Sequence, residues 1–158
     1  MEINVLIEDG IEVSPDPDWM QKVVEAVLTA ENAPPNVEIS LVITGQERIQ
    51  ELNREYRGKD QPTDVLSFSL SEEKLEDEPV AFIGPRDGLI HLGEVIISYP
   101  QAVIQAEESA HSVKKELAAL IIHGVLHIQG YDHEKPEMEP AMKAKESQLM
   151  GALEKELE

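Results

Sequence analysis

Apolar and polar positions alternate at two different periods along this chain, and each change of period marks an element. Ile3, Val5 and Ile7 alternate with more polar neighbours, which predicts a short strand. Ser14-Pro-Asp-Pro-Asp reads as a helix start, with proline and acidic residues in the first turn. Met20, Val23, Val24, Val27 and Leu28 then recur at helical spacing until Asn32-Ala-Pro-Pro stops them, and Trp19 joins this core stripe. Val37 to Thr44 is rich in β-branched residues and bounded by proline and glycine, which predicts a strand. Ile49, Leu52 and Tyr56 predict a helix from Gln46 to Tyr56 that Gly58 would end. Val65 to Leu70 is a further strand.

The acidic stretch from Ser71 to Gly88 contains Pro79, Gly84 and Pro85 and reads as a long loop, broken by a brief extended piece at Val80 to Ile83. Leu89 to Ser98 is a strand in which Gly93 marks a bulge or a close backbone approach. Pro100 opens a helix expected to reach His111. Ser112 caps the next helix, whose apolar run extends from Leu117 to Leu126. Met138, Met142, Leu149 and Leu153 predict a closing helix with a solvated acidic face. No repeat or linker divides the chain. The expected architecture is one α+β domain over residues 1–158, with about four strands in a mixed sheet packed by helices.

Composition narrows the chemistry. A chain of 158 residues, 41% of them apolar, can bury one core. The absence of cysteine removes disulfides and thiolate ligands, so a zinc ion would have to sit on histidine and carboxylate. A formal charge of −19 repels phosphate backbones at long range, leaving nucleic-acid binding to a small local patch. The opening residues lack a signal-peptide pattern, and no apolar stretch has the length of a membrane span. A cytoplasmic location without membrane contact is expected.

Candidate chemistry centres on His123-Gly-Val-Leu-His127-Ile-Gln-Gly-Tyr-Asp-His133, which holds three of the five histidines. Histidines four apart share one face of a helix. Gly130 can take the left-handed conformation that ends the helix, letting the chain turn back and offer His133 to the same point. Three imidazoles on one side of an ion leave a position open for a reactant, the arrangement of catalytic zinc. The spacing matches the zinc-protease pattern H-E-x-x-H-x-x-G-x-x-H at all three histidines and at the glycine, but Gly124 stands in place of the general-base glutamate. Room near the ion for a nucleotide and close helix packing account equally for that glycine.

Arg54, Arg57 and Lys59 form the densest basic cluster. It reads either as a favourable helix C-terminus or as a set in which Arg57 holds an anionic substrate. Lys114 and Lys115 read as solvated lysines, His91 as structural. His111 either caps a helix or lines the approach to the metal. Asp132 is either a turn residue or an acceptor that orients His133.

The histidine motif, together with Leu52-Asn-Arg-Glu-Tyr-Arg-Gly-Lys-Asp-Gln-Pro-Thr-Asp-Val-Leu-Ser-Phe-Ser69 and Leu92-Gly-Glu-Val-Ile-Ile-Ser98, closely resembles the YbeY family of bacterial ribosomal-RNA maturation factors. The resemblance runs from about Val37 to the last helix. It implies a zincin-like α+β fold and a metal-dependent, single-strand-specific endoribonuclease acting in rRNA maturation and ribosome quality control. It also implies one Zn2+ on His123, His127 and His133, with Arg57 engaging RNA phosphate. An rRNA precursor and ribosomal or ribosome-assembly proteins are the implied partners, and no DNA is expected. Two departures are visible: Ser69 stands where a proline often follows Ser-Phe, and the acidic segment from Ser71 is longer than usual. The alternatives are a non-catalytic, zinc-stabilised ribosome-assembly binding factor and a metallopeptidase whose base would be Asp132 or Glu94.

Overall fold

The computed structural model describes residues 1–13, 15–70, 83–84, 88–130 and 137–153. The chain opens with β1 (Glu2–Ile7), α1 (Pro17–Ala30), β2 (Val37–Thr44), α2 (Gln46–Arg57) and β3 (Val65–Ser69). It continues with β4 (Ile83–Gly84), β5 (Leu89–Ser98), α3 (Tyr99–Glu108), α4 (Val113–Ile128) and α5 (Glu139–Leu153). Four strands lie side by side in the order β1-β2-β5-β3, and the two-residue β4 pairs with the start of β5. β1, β2 and β5 run parallel, while β3 and β4 are antiparallel to β5. The sheet is mixed, as the sequence predicts.

Strand periodicity sorts the side chains onto two faces. Val37, Ile39, Leu41 and Ile43 of β2 and Val95 and Ile97 of β5 point one way, into a core with Val23, Val27 and Leu28 of α1 and Leu117, Ile121 and Val125 of α4. On the opposite face, Leu66 and Ile96 cluster with Ile49 and Leu52 of α2, with Val42 and Phe68 packed alongside. Among the described residues, the first face therefore carries the larger core and the second the smaller one. No described helix is long and apolar enough to cross a membrane.

Element ends follow local chemistry. Asp16 caps α1 by accepting from the Asp18 amide at 2.9 Å, with Pro17 in the first turn. Gly58 closes α2 at φ +71°, so the helix includes Arg57, one residue beyond the predicted end. The helix expected over Pro100 to His111 is shorter, Tyr99 to Glu108, because Ser98 caps it and Ala110 turns left-handed at φ +56°. The extended piece expected at Val80 to Ile83 is the Ile83–Gly84 bridge; the rest of the Ser71 to Asp87 segment lies outside the described residues. Gly93 is both a bulge and a close approach. The register slips between Glu38 and Ile39 opposite it, its φ is +141°, and a Cβ there would run into the Phe68 carbonyl.

Candidate metal and phosphate site

α4 is the most deeply set helix. Ser112 caps it by accepting from the Lys115 amide at 3.1 Å, and Leu117, Ala118, Ile121, Ile122, Val125 and Leu126 are fully buried. Those burials fix the rotational phase of the helix and leave His123 and His127 on its half-buried flank, one turn apart. Their ring centroids are 6.0 Å apart with the planes inclined at 49°. Gln129 caps the helix end and Gly130 follows at φ +108°, so the helix ends and the positive φ appears where the sequence predicts.

Two of the three expected ligands are thus together on one helix flank. His133 and Asp132 lie outside the described residues, and among the described residues no group of three or more histidine, cysteine, aspartate or glutamate side chains could hold a metal ion. The donors present suit zinc in kind: two imidazoles, half exposed, next to each other and fixed by a dry helix face. A carboxylate also reaches the pair from outside the motif. Glu146 of α5 stands 3.5 Å, Oε2 to Nδ1, from His123.

Gly124, between the two histidines, has a packing explanation. A Cβ built there would lie 2.5 Å from Val95 Cγ1 and 3.3 Å from Ser67 Oγ, and the Ser67 hydroxyl donates to the Gly124 carbonyl at 3.1 Å. α4 crosses β5 and β3 at van der Waals distance there, and a glutamate cannot be accommodated. The glycine serves helix–sheet contact; the space it leaves is filled by Val95.

Arg57 approaches from the other side. It is the last residue of α2, exposed, and forms no ion pair among the described residues. Buried Asn53 steadies this end of the helix by donating to the Gln61 carbonyl at 2.9 Å, and Tyr56 meets Phe68 edge-on at 5.3 Å between centroids. Arg54 faces Asp60 at 3.7 Å. α2 packs on the Leu66 and Phe68 face of β3, whereas Ser67 of the same strand touches α4. Arg57 and the histidines therefore belong to helices on opposite faces of the sheet, and β3 is the strand both helices share.

The remaining candidates fall into place by contact. His91 Nδ1 lies 2.8 Å from Glu38 Oε1. His111 Nε2 lies 2.7 Å from Glu116 Oε1, while Gln105 donates to the other Glu116 oxygen at 2.8 Å, so His111 braces the start of α4. Lys114 rests over the Trp19 ring at 4.9 Å from its centroid, a packing contact between α4 and α1. Glu94 neighbours Val95 and so projects from the α2 face, away from the histidines. Sequence reasoning missed Asn53 and Glu146. Each had a signal: Asn53 follows Leu52 on the buried side of α2, and Glu146 occupies an apolar stripe.

A family model described as endoribonuclease YbeY matches residues 6–154, which include Arg57, His123, His127 and His133. This chain belongs to the YbeY family. Among relatives bearing that name, a Dehalococcoides mccartyi protein is 48% identical over 160 residues, covering 100% of this chain and 93% of its own length. YbeY proteins of Roseiflexus castenholzii (42% identical, 87% of this chain, 84% of theirs) and Chloroflexus aggregans (40%, 96% and 95%) are similar too. The solution structure of a Thermotoga maritima protein superposes with a TM-score of 0.60 at 28% identity, covering 98% of this chain and 93% of that one. The family match over residues 6–154 and the structural similarity over 98% of the chain agree with each other.

Proposed function

We propose that this chain is a metal-dependent, single-strand-specific endoribonuclease that works in the cytoplasm on rRNA precursors, in rRNA maturation and ribosome quality control. The observation that carries this reading is the His123–His127 pair on one flank of α4, in a chain whose relatives are named endoribonucleases. His123, His127 and His133 would hold one zinc ion. Bound there, the ion would supply a Lewis acid for a phosphoryl oxygen and lower the pKa of a water toward about 7.

The protein's own groups divide the remaining work. Arg57 offers a planar guanidinium that pairs with phosphate in two-point fashion and stabilises negative charge as it develops. Gly124 supplies no carboxylate to pass a proton to a leaving amine, which disfavours peptide hydrolysis. The net charge of −19 leaves a second role open to the acidic surface, the docking of basic ribosomal or assembly proteins.

The test is incubation of purified protein with structured rRNA fragments, comparing untreated, chelated and His127→Ala samples. Cleavage confined to the untreated sample is expected. Cleavage that survives both treatments would remove the metal from the mechanism. Stability lost on chelation, with no RNA hydrolysis under any metal, would favour a zinc-stapled binding factor. A 2′-deoxy substitution at the cleaved position then separates water from the ribose 2′-hydroxyl as nucleophile.

A further inference from the structure

Glu146 stands at an unusual place for a charge. α5 is buried through Met142, Leu149 and Leu153, and Glu146 lies four residues after the first and three before the second. That spacing puts it on the inward stripe of the helix. Lys143 and Glu139, by contrast, pair with each other on the exposed side at 3.1 Å. Glu139 is the only other acidic residue of this helix. Glu146 is instead held over α4, its side chain 28% exposed and His123 31% exposed, with 3.5 Å between Oε2 and Nδ1.

We propose that Glu146 is a positioning residue for His123, accepting a hydrogen bond from Nδ1–H and thereby presenting Nε2 to a divalent metal ion. The inference rests on the reading of His123 as a ligand. The two ring nitrogens face in different directions, so a carboxylate at Nδ1 selects the tautomer whose Nε2 carries the lone pair. Histidine ligands commonly donate their second ring N–H to a carboxylate, which orients the ring and makes it a better donor. The observed separation of 3.5 Å is just beyond the roughly 3.2 Å reach of a hydrogen bond.

Two features fix the carboxylate where it is needed. Met142 and Leu149, at 1% and 4% exposure, lock the phase of α5 on either side of Glu146. Lys145 pairs with Glu31 at 3.3 Å and ties the same turn to the end of α1. The zinc-protease pattern places its glutamate next to the first histidine. Here Val95 closes that position, and a glutamate arrives from the last helix instead, at the other ring nitrogen.

The experiment measures zinc affinity by chelator competition in the full-length wild type, Glu146→Ala, Glu146→Gln and, as an exposed control on the same helix, Glu139→Gln. Metal-free Tm is measured for each, and the His123 ring tautomer is read by 15N–1H NMR in the zinc-loaded wild type and in Glu146→Gln. The expected result is a 10- to 100-fold loss of affinity in Glu146→Ala, a smaller loss in Glu146→Gln, whose amide oxygen still accepts, and none in Glu139→Gln. The zinc-loaded wild type should show the Nδ1–H form. Wild-type affinity in Glu146→Ala, with or without a lower metal-free Tm, would make Glu146 a helix staple and overturn the proposal. A wild type that binds no zinc would overturn both this proposal and the function above, so the two failures are told apart.

Discussion

α4 and α2 are the two helices that carry the candidate chemistry, and they are built in opposite ways. α4 is buried along most of its length and sits so close to β5 and β3 that one position has no room for a Cβ. α2 buries only Ile49, Leu52 and Asn53 and ends in exposed Arg57. Among the described residues, a groove of about 540 Å³ lies beside α2, lined by Leu6, Glu8, Val42, Tyr56, Phe68 and Glu94. The difference suits the two proposed tasks. Metal ligands must be held to a fraction of an ångström, which a close-packed helix achieves. A phosphate-binding arginine works at the surface, where a long side chain can meet a mobile single strand.

The largest expected effects break the division of labour itself. His127→Ala should abolish both zinc binding and RNA turnover. Arg57→Ala should keep zinc and lose about 100- to 1,000-fold in cleavage rate, the usual loss for one donor to a developing oxyanion. Metal analysis alongside single-turnover cleavage checks both. Undiminished turnover in Arg57→Ala would remove α2 from the site.

Stability effects come next. Ile121→Ala, in the dry face of α4, should cost about 2–5 kcal/mol, and Leu52→Ala, in the smaller α2 cluster, should fall near the bottom of that range. Denaturant midpoints compare them, and equal losses would mean the two faces are equally packed. Gly124→Ala and Gly151→Ala make a finer contrast. Alanine gains up to about 1 kcal/mol over glycine in a helix, and nothing lies within 4 Å of a Cβ at Gly151. At Gly124 the collision with fully buried Val95 costs about 1–3 kcal/mol. Gly151→Ala should therefore stabilise and Gly124→Ala destabilise, with Val95→Ala restoring part of the latter in the double variant.

The smallest effect concerns salt. With few basic residues on a strongly acidic chain, RNA affinity should fall only gently with ionic strength, and Arg57→Ala should lower the slope of log K against log salt by about one contact. A steep slope in the wild type would point to a broad basic interface that the composition does not supply.

Most of the elements were legible because their signals are local. The β-branched run of Val37–Thr44, the Ser112 cap and the Gly58 stop act within a few residues, and each appears where the pattern predicts. The reading of α3 ran three residues too far because the left-handed turn at Ala110 is a conformation no alanine advertises. Gly124 had two explanations on sequence, and Val95 decided between them. Glu146 was passed over as one acid among many, since a contact between α5 and α4 joins residues 23 apart in the chain.

Periodicity and spacing by themselves determined the elements, the mixed α+β class and the placing of His123 and His127 one turn apart, because a helix repeats its own geometry wherever it lies. Tertiary structure alone decided that Val95 excludes a side chain at 124, that Glu146 meets His123, and that Arg57 and the histidines flank β3 from opposite faces. Those are contacts between elements distant in the chain. They depend on which faces must be buried together, and that becomes definite only when the sheet and its helices close on one core.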